Sequence, residues 1–236
     1  MAELHVNLDP VAELRRSRST GEPEPTAAAI LAEMAGAAGV TAHIRQEQRH
    51  TEERDVRIWK STLRIPITLI LNAHEEMVKI ALGIAPTRVL LVSERRDEAA
   101  PSIGLDLLLH GTMVQRAARL LREAQIKTMV FMDPELEPVK AAAKIGVDGV
   151  VFNTLRYAEA HGTAREEEER ERLREAIKVA TKYGLATGAF RGISYRLAPK
   201  IKTLEVQEIH AGHAIASRAL YSGLTAAVAE MAALVR

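Results

Sequence analysis

Short apolar runs separated by longer amphipathic stretches recur from one end of the chain to the other, and this alternation limits the possible folds more than any other feature. Eight runs stand out: Leu4–Leu8, Gly39–Ile44, Ile67–Leu71, Arg88–Val92, Thr128–Met132, Gly149–Phe152, Leu185–Gly188 and Glu205–His210. Each has the length of a buried strand, and most are flanked by polar residues or glycine. Helical patterns lie between them, over Thr26–Ala38, Glu52–Leu63, His74–Leu82, Thr112–Ala124, Glu135–Ile145, Ala164–Tyr183 and Ala214–Val235. Strands alternating with helices build βαβ units around a parallel sheet. Eight such units in 236 residues fit one (β/α)₈ TIM barrel, an α/β fold whose usual size is about 250 residues. No linker rich in Gly, Ser or Pro divides the chain, so a single domain over residues 1–236 is expected.

Thr163 is placed to cap the longest helix, whose early acidic residues complement its dipole. The helix residue Trp59 is expected to pack outward or at a subunit contact. The least regular stretches, at 16–25, 93–104 and 189–200, each follow a candidate strand. Those are the positions where a barrel carries its active-site loops.

Composition narrows the function. Thirty-two Lys+Arg stand against 31 Asp+Glu, which leaves no overall field for nucleic acid or an anionic membrane. With 3% aromatics the chain makes a poor stacking platform for bases. Cysteine is absent, which excludes disulfides, thiolate nucleophiles and zinc–sulfur sites. The N-terminal stretch MAELHVNLDP has acidic residues and no long apolar run, so neither a secretory signal nor a membrane span is expected, and a cytoplasmic protein is.

In a barrel the C-terminal tips of the strands share one mouth, so distant residues must be read together. Asn7 and Asp9 follow the first strand, and His43, Arg45, Arg49 and His50 follow the second. Arg191 and Gly192 follow the seventh, and His210, Gly212 and His213 the eighth. The eighth run turns through Gly212 directly into a helix, whose first N–H groups and dipole favour an anion that glycine lets come close. Arg18, in the loop after the first strand, would lie beside the eighth once the barrel closes and could add a charge-assisted hydrogen bond. The stretch TAHIRQEQRH offers imidazoles that move protons near neutral pH, and guanidinium groups that hold anions and disfavour imidazolium. No Ser-His-Asp order, P-loop or HExxH zinc helix occurs.

The blocks VNLDPVAELRRSR, TAHIRQEQRHTEERDVR, NAHEEMVKIA, SERRDEAAPSIGLDL and IHAGHAIASRAL, in this order and at these spacings, resemble pyridoxine 5′-phosphate synthase, the PdxJ family. The resemblance runs from Val6 to Met231. It implies a barrel with extra helices that assembles as an octamer and needs no cofactor or resident metal. The reaction it implies joins 3-amino-2-oxopropyl phosphate to 1-deoxy-D-xylulose 5-phosphate and closes a pyridine ring, a step of vitamin B6 biosynthesis.

By the same resemblance Asn7, Arg18, Gly192, Gly212 and His213 hold the aminoketone phosphate. Asp9, Arg45 and His50 belong to the second substrate's pocket, and His43 stands at the position of the general base. Other positions depart from the family's pattern. Pro10 and Arg191 stand where it has histidines, Ile70 and Val151 where it has catalytic glutamates, Ala100 in place of a threonine and His210 in place of an asparagine. An apolar side chain transfers no proton, and each lost acid or base typically costs about 10²–10⁴-fold.

Two other readings remain open. One is a divergent barrel running a different reaction on a phosphorylated ligand, with Arg191 and His210 in new roles. The other is a metal site of His210 and His213 with His43 or His50.

Overall fold

The computed structural model describes residues 1–17, 21–46, 50–94 and 101–236. Arg18, Arg49 and Ala100, singled out above, lie outside the described residues. Eight strands, β1 (Glu3–Asn7), β2 (Gly39–His43), β3 (Ile67–Leu71), β4 (Arg88–Leu91), β5 (Lys127–Met132), β6 (Gly149–Asn153), β7 (Ala186–Phe190) and β8 (Glu208–Ala211), pair in sequence order. All the pairings are parallel, and β8 returns to β1 with Leu4 opposite Ile209 and His5 opposite His210. The result is the closed (β/α)₈ TIM barrel that the alternation predicts. No helix among the described residues is long and apolar enough to cross a membrane.

The helices are α1 (Asp9–Ser17), α2 (Pro25–Met34), α3 (Glu53–Thr62), α4 (Glu75–Ile84), α5 (Leu107–Glu123), α6 (Leu136–Ile145), α7 (Leu155–Ala160), α8 (Glu166–Lys182), α9 (Ala198–Lys202), α10 (His213–Ser222) and α11 (Leu224–Val235). Three of them, α1, α7 and α9, are additional to those read from the sequence. The long C-terminal helix is two, because Gly223 leaves helical geometry at φ 78°. Helix α8 starts beyond Thr163, whose hydroxyl oxygen accepts the N–H of Arg165 one turn earlier, and no side chain caps the helix itself. Trp59 does not pack outward. It is fully buried, on the face of α3 that meets the aliphatic layer around the barrel.

Alternation along each strand divides the interior in two. Leu4, Val6, Val40, Ala42, Leu69 and Leu71 point outward into the layer shared with the helices. Ile70, Leu90, Val92, Met129, Phe131, Val151 and Phe190 fill the barrel lumen as a separate apolar cluster, with Phe131 and Phe190 edge to face at 5.7 Å. Below this plug the lumen is polar. Glu208 is ion-paired with Arg88, whose Nη2 also lies 3.1 Å from Nδ1 of His5. Nε2 of His210 lies 3.2 Å from the Glu208 carboxylate, and the His210 ring stacks on His5 at 4.9 Å.

Burial works against the Glu208 carboxylate, but the hydrogen bond with His210 and the charge of Arg88 hold its pKa well below the usual range. The Arg88 guanidinium and the Glu208 carboxylate offset each other's charge in this floor. Removing one partner of a buried pair leaves an uncompensated charge, at a cost of about 3–5 kcal/mol. We therefore expect Glu208→Gln to lose about that much in urea unfolding. The double variant Arg88→Met with Glu208→Leu should lose less than either single change.

Candidate active site

The mouth is built where β1 and β2 end. Asn7 Oδ1 accepts the N–H of Asp9, and Asn7 Nδ2 donates to Asp9 Oδ2 at 2.8 Å. This local turn starts α1, with Pro10 in the first turn, where its missing N–H costs nothing. The other oxygen of Asp9 accepts the backbone N–H of His43 at 2.7 Å and the Thr51 hydroxyl at 3.2 Å. One buried carboxylate thus ties the tip of β1 to the tip of β2 and to the approach to α3. Burial pushes the Asp9 pKa up, and the three hydrogen bonds it accepts oppose that rise.

Across the barrel the turn after β6 holds the tip of β7. The Thr154 N–H donates to the Phe190 carbonyl at 3.0 Å, and its hydroxyl donates to the carbonyl of Arg191. Arg191 and Gly192 are both left-handed, at φ 83° and 68°. That backbone is natural for glycine and strained for arginine, and such strain collects at functional sites. Farther along the same loop the Tyr195 hydroxyl donates to Ala227 of α11. Gly212 lies against β1 so closely that a Cβ there would stand 2.8 Å from the Asn7 carbonyl oxygen. No other residue lets β8 turn into α10 at this point.

These tips enclose a cleft of about 220 Å³ whose wall includes Asn7, Asp9, His43, Ile70, Arg191 and His213. A second cleft, of about 310 Å³, shares Phe190, Arg191, Gly212 and His213 and continues past Gly192 to the start of α10. Asn7, Asp9, His43, Gly192, Gly212, His213 and Arg191 are thus gathered in one double cavity. Arg45 and His50 are not on either wall. Arg45 is buried, with Nε 3.2 Å from Glu94, which also accepts from Asn72. His50 lines a neighbouring cleft of about 430 Å³ with Arg15 and Arg16.

His210 touches the edge of the second cleft, but its imidazole turns down to Glu208 and His5. The histidines expected to meet as metal ligands therefore do not meet as expected. Among the described residues, the three-ligand group is His5, Glu208 and His210, without His213, His43 or His50. Arg88 already neutralises its carboxylate.

Ile70 and Val151 belong to the lumen plug. Ile70 reaches the cleft, whereas Val151 lies wholly below it. One ionisable residue of the first cleft's wall escaped the sequence reading, the half-buried Glu13 of α1. Its signal was the four-residue spacing from Asp9, which places both on one helix face.

A model of the family described as pyridoxal phosphate biosynthesis protein PdxJ matches residues 4–236. The chain belongs to the PdxJ family. This PdxJ-family chain is 40% identical, over 237 residues covering 100% of it and 99% of the relative, to a protein of Geobacter sulfurreducens named pyridoxine 5′-phosphate synthase. A relative of the same name from Synechococcus sp. is 40% identical over 232 residues, covering 98% of this chain and 97% of its own. Among solved structures, thiamine phosphate pyrophosphorylase from Pyrococcus furiosus superposes with a TM-score of 0.64 at 17% identity, covering 99% of this chain and 95% of that one. The tryptophan synthase α subunit of Legionella pneumophila gives 0.63 at 11% identity, covering 97% of each. At those identities the two structures speak for the fold alone.

Burial lowers the pKa of His43 to about 3, with Arg45 and His50 adding to the effect. Burial likewise lowers His5 to about 3, helped by His210. Both rings are neutral in the folded PdxJ-family barrel at neutral pH, and Nε2 of His43 is buried with no hydrogen-bond partner among the described residues. An unfolded chain protonates these histidines first as pH falls below 6.5. The stability they contribute is therefore complete above that pH and declines toward pH 3. In urea unfolding at a series of pH values, we expect each histidine to remove about 1.4 kcal/mol per pH unit between about pH 6 and 4. Replacing His5 with Asn should flatten the slope by one proton.

Proposed function

We propose that this barrel is a pyridoxine 5′-phosphate synthase that condenses 3-amino-2-oxopropyl phosphate with 1-deoxy-D-xylulose 5-phosphate, using an altered set of proton-transfer groups. The observation that carries the reading is the match to the family along the chain, from residue 4 to 236. The double cleft supports it by offering room for two ligands on either side of a shared wall of Arg191, Gly212 and His213.

The aminoketone phosphate lies in the second cleft, with its phosphate at the N-terminus of α10. There, free N–H groups and the helix dipole favour an anion, and Gly212 and Gly192 leave the backbone open to it. His213 borders this subsite, and the family resemblance assigns Arg18 and Asn7 to the same phosphate. The second substrate enters from the side of Asp9, Arg45 and His50, where Asp9 is also the clasp that fixes His43. Arg191 places a permanent positive charge at the junction, where developing negative charge on a carbonyl oxygen is stabilised in a water-poor site.

His43 faces the reacting centre as a neutral imidazole. Its pKa is depressed first by burial and then by Arg45 and His50, and phosphate dianions would offset that second, cationic contribution. The reading includes a cytoplasmic setting and a homo-oligomer, an octamer by family analogy. Exposed Leu108, Leu109, Leu220 and Tyr221 are suited to subunit contacts.

The test is incubation with both substrates and detection of pyridoxine 5′-phosphate by mass spectrometry. Product from the unaltered protein, cut by about 10²–10⁴-fold in His43→Ala with little change in aminoketone affinity, is the expected result. No product at high protein concentration overturns the proposal.

A further inference from the structure

Joining an aminoketone to a second carbonyl compound requires a proton to leave the carbon beside the ketone, so the mouth must hold a base of adequate strength. The ionisable groups on the wall of the first cleft are Asp9, Glu13, His43, Arg191 and His213. Arg191 stays protonated. Asp9 is buried and accepts from His43, Asn7 and Thr51, so its oxygens are committed to the frame of the site. His43, held at about 3 chiefly by its burial, is a weak base. His213 sits exposed at the rim, its Nε2 3.4 Å from Ser217.

Glu13 differs from all of these. It is half-buried, projects from α1 one turn after Asp9, and accepts no hydrogen bond from any described residue. The same cleft wall carries apolar surface from Ile70, Pro101 and Phe190.

We infer that Glu13 is the carboxylate that removes and returns the proton on the carbon beside the ligand's ketone, while neutral His43 donates a hydrogen bond from Nε2 to the ketone oxygen. The C–H bond breaks, its proton passes to a Glu13 oxygen, its electron pair forms the C=C bond, and the carbonyl π pair moves onto oxygen, giving an enolate whose oxygen accepts the hydrogen bond from His43. Arg191 faces the same oxygen and spreads its charge. The reverse step returns the proton from the Glu13 carboxyl to carbon, so the cycle needs no oxidant or co-reactant.

Burial raises the Glu13 pKa, and the neighbouring Asp9 adds to the rise against the pull of Arg45 and Arg191. A carboxylate made more basic by its setting, in the same cleft as an imidazole kept neutral, is the division of labour that enolisation in a barrel mouth requires. Ile70 takes no part in proton transfer, and its role is to keep water away from the base.

The inference rests on the function proposed above, and the two can fail separately. The first measurement uses 3-amino-2-oxopropyl phosphate alone in D₂O, with exchange of its carbon-bound hydrogens followed by NMR. The unaltered protein should catalyse exchange, with a pH dependence set by one acidic group. Glu13→Gln should slow it by about 10²–10⁴-fold and lose that pH limb, while aminoketone phosphate affinity by calorimetry changes less than about threefold. Glu13→Asp should restore part of the rate. No exchange by the unaltered protein, or the same exchange in Glu13→Gln, overturns the assignment. Exchange that depends on Glu13 without any pyridoxine 5′-phosphate when the second substrate is added supports Glu13 and overturns the proposed overall reaction. Product formed equally well by Glu13→Gln does the reverse.

Discussion

The seam between β1 and β8 is the contact on which the site depends. Hydrogen bonding between these strands closes the barrel, and its register puts His5 beside His210 and Asn7 beneath Gly212. Because Gly212 presses against Asn7, the start of α10 and the Asp9 clasp have a fixed relation to each other. A shift of one residue in this register would exchange the lumen-facing and helix-facing sides of β8. The Gly212 turn and the side chains of Glu13 and His43 would then no longer share a cavity.

The lumen above and below the plug is organised by different physics. The apolar layer of Ile70, Leu90, Phe131 and Phe190 excludes water and gives the cleft a low-dielectric floor. That setting pushes His43 toward neutrality and Glu13 toward stronger basicity, two shifts with the same origin and opposite chemical use. Beneath the plug, Arg88 and Glu208 balance each other, with two imidazoles between them and the cleft. A divalent cation placed there would meet the guanidinium of Arg88, so this floor reads as a structural layer of the barrel.

Much of the fold was legible in the sequence because buried strands in a parallel barrel must be short and apolar, and eight such runs are present. Their ends were less legible. Gly188 looked like the end of β7, yet Ala189 and Phe190 continue the strand. Glu205 looked like the start of β8, yet it sits in a turn at φ 61°. Helix α1 was hidden because Asp9-Pro10 reads equally well as a turn or as a helix start, and tertiary hydrogen bonds through Asp9 decide the matter. The cluster at the mouth followed from strand tips alone. The downward direction of His210 was available from strict alternation with Glu208, whereas the place of Glu13 required knowing that α1 exists. Trp59 lies on the inner face of its helix, a position that composition could not assign.

The lopsided mouth has one more consequence. The groups that line the cleft with polar chemistry come from Asn7 to His43 at one end of the chain and from Arg191 to His213 at the other. The central strands contribute apolar surface instead, through Ile70. A chain in which only β2 to β7 had assembled would hold the plug but neither the Gly212 turn nor the Asp9 clasp. The reactive cavity is therefore a property of the completed ring, and it comes into being only when the last strand finds the first.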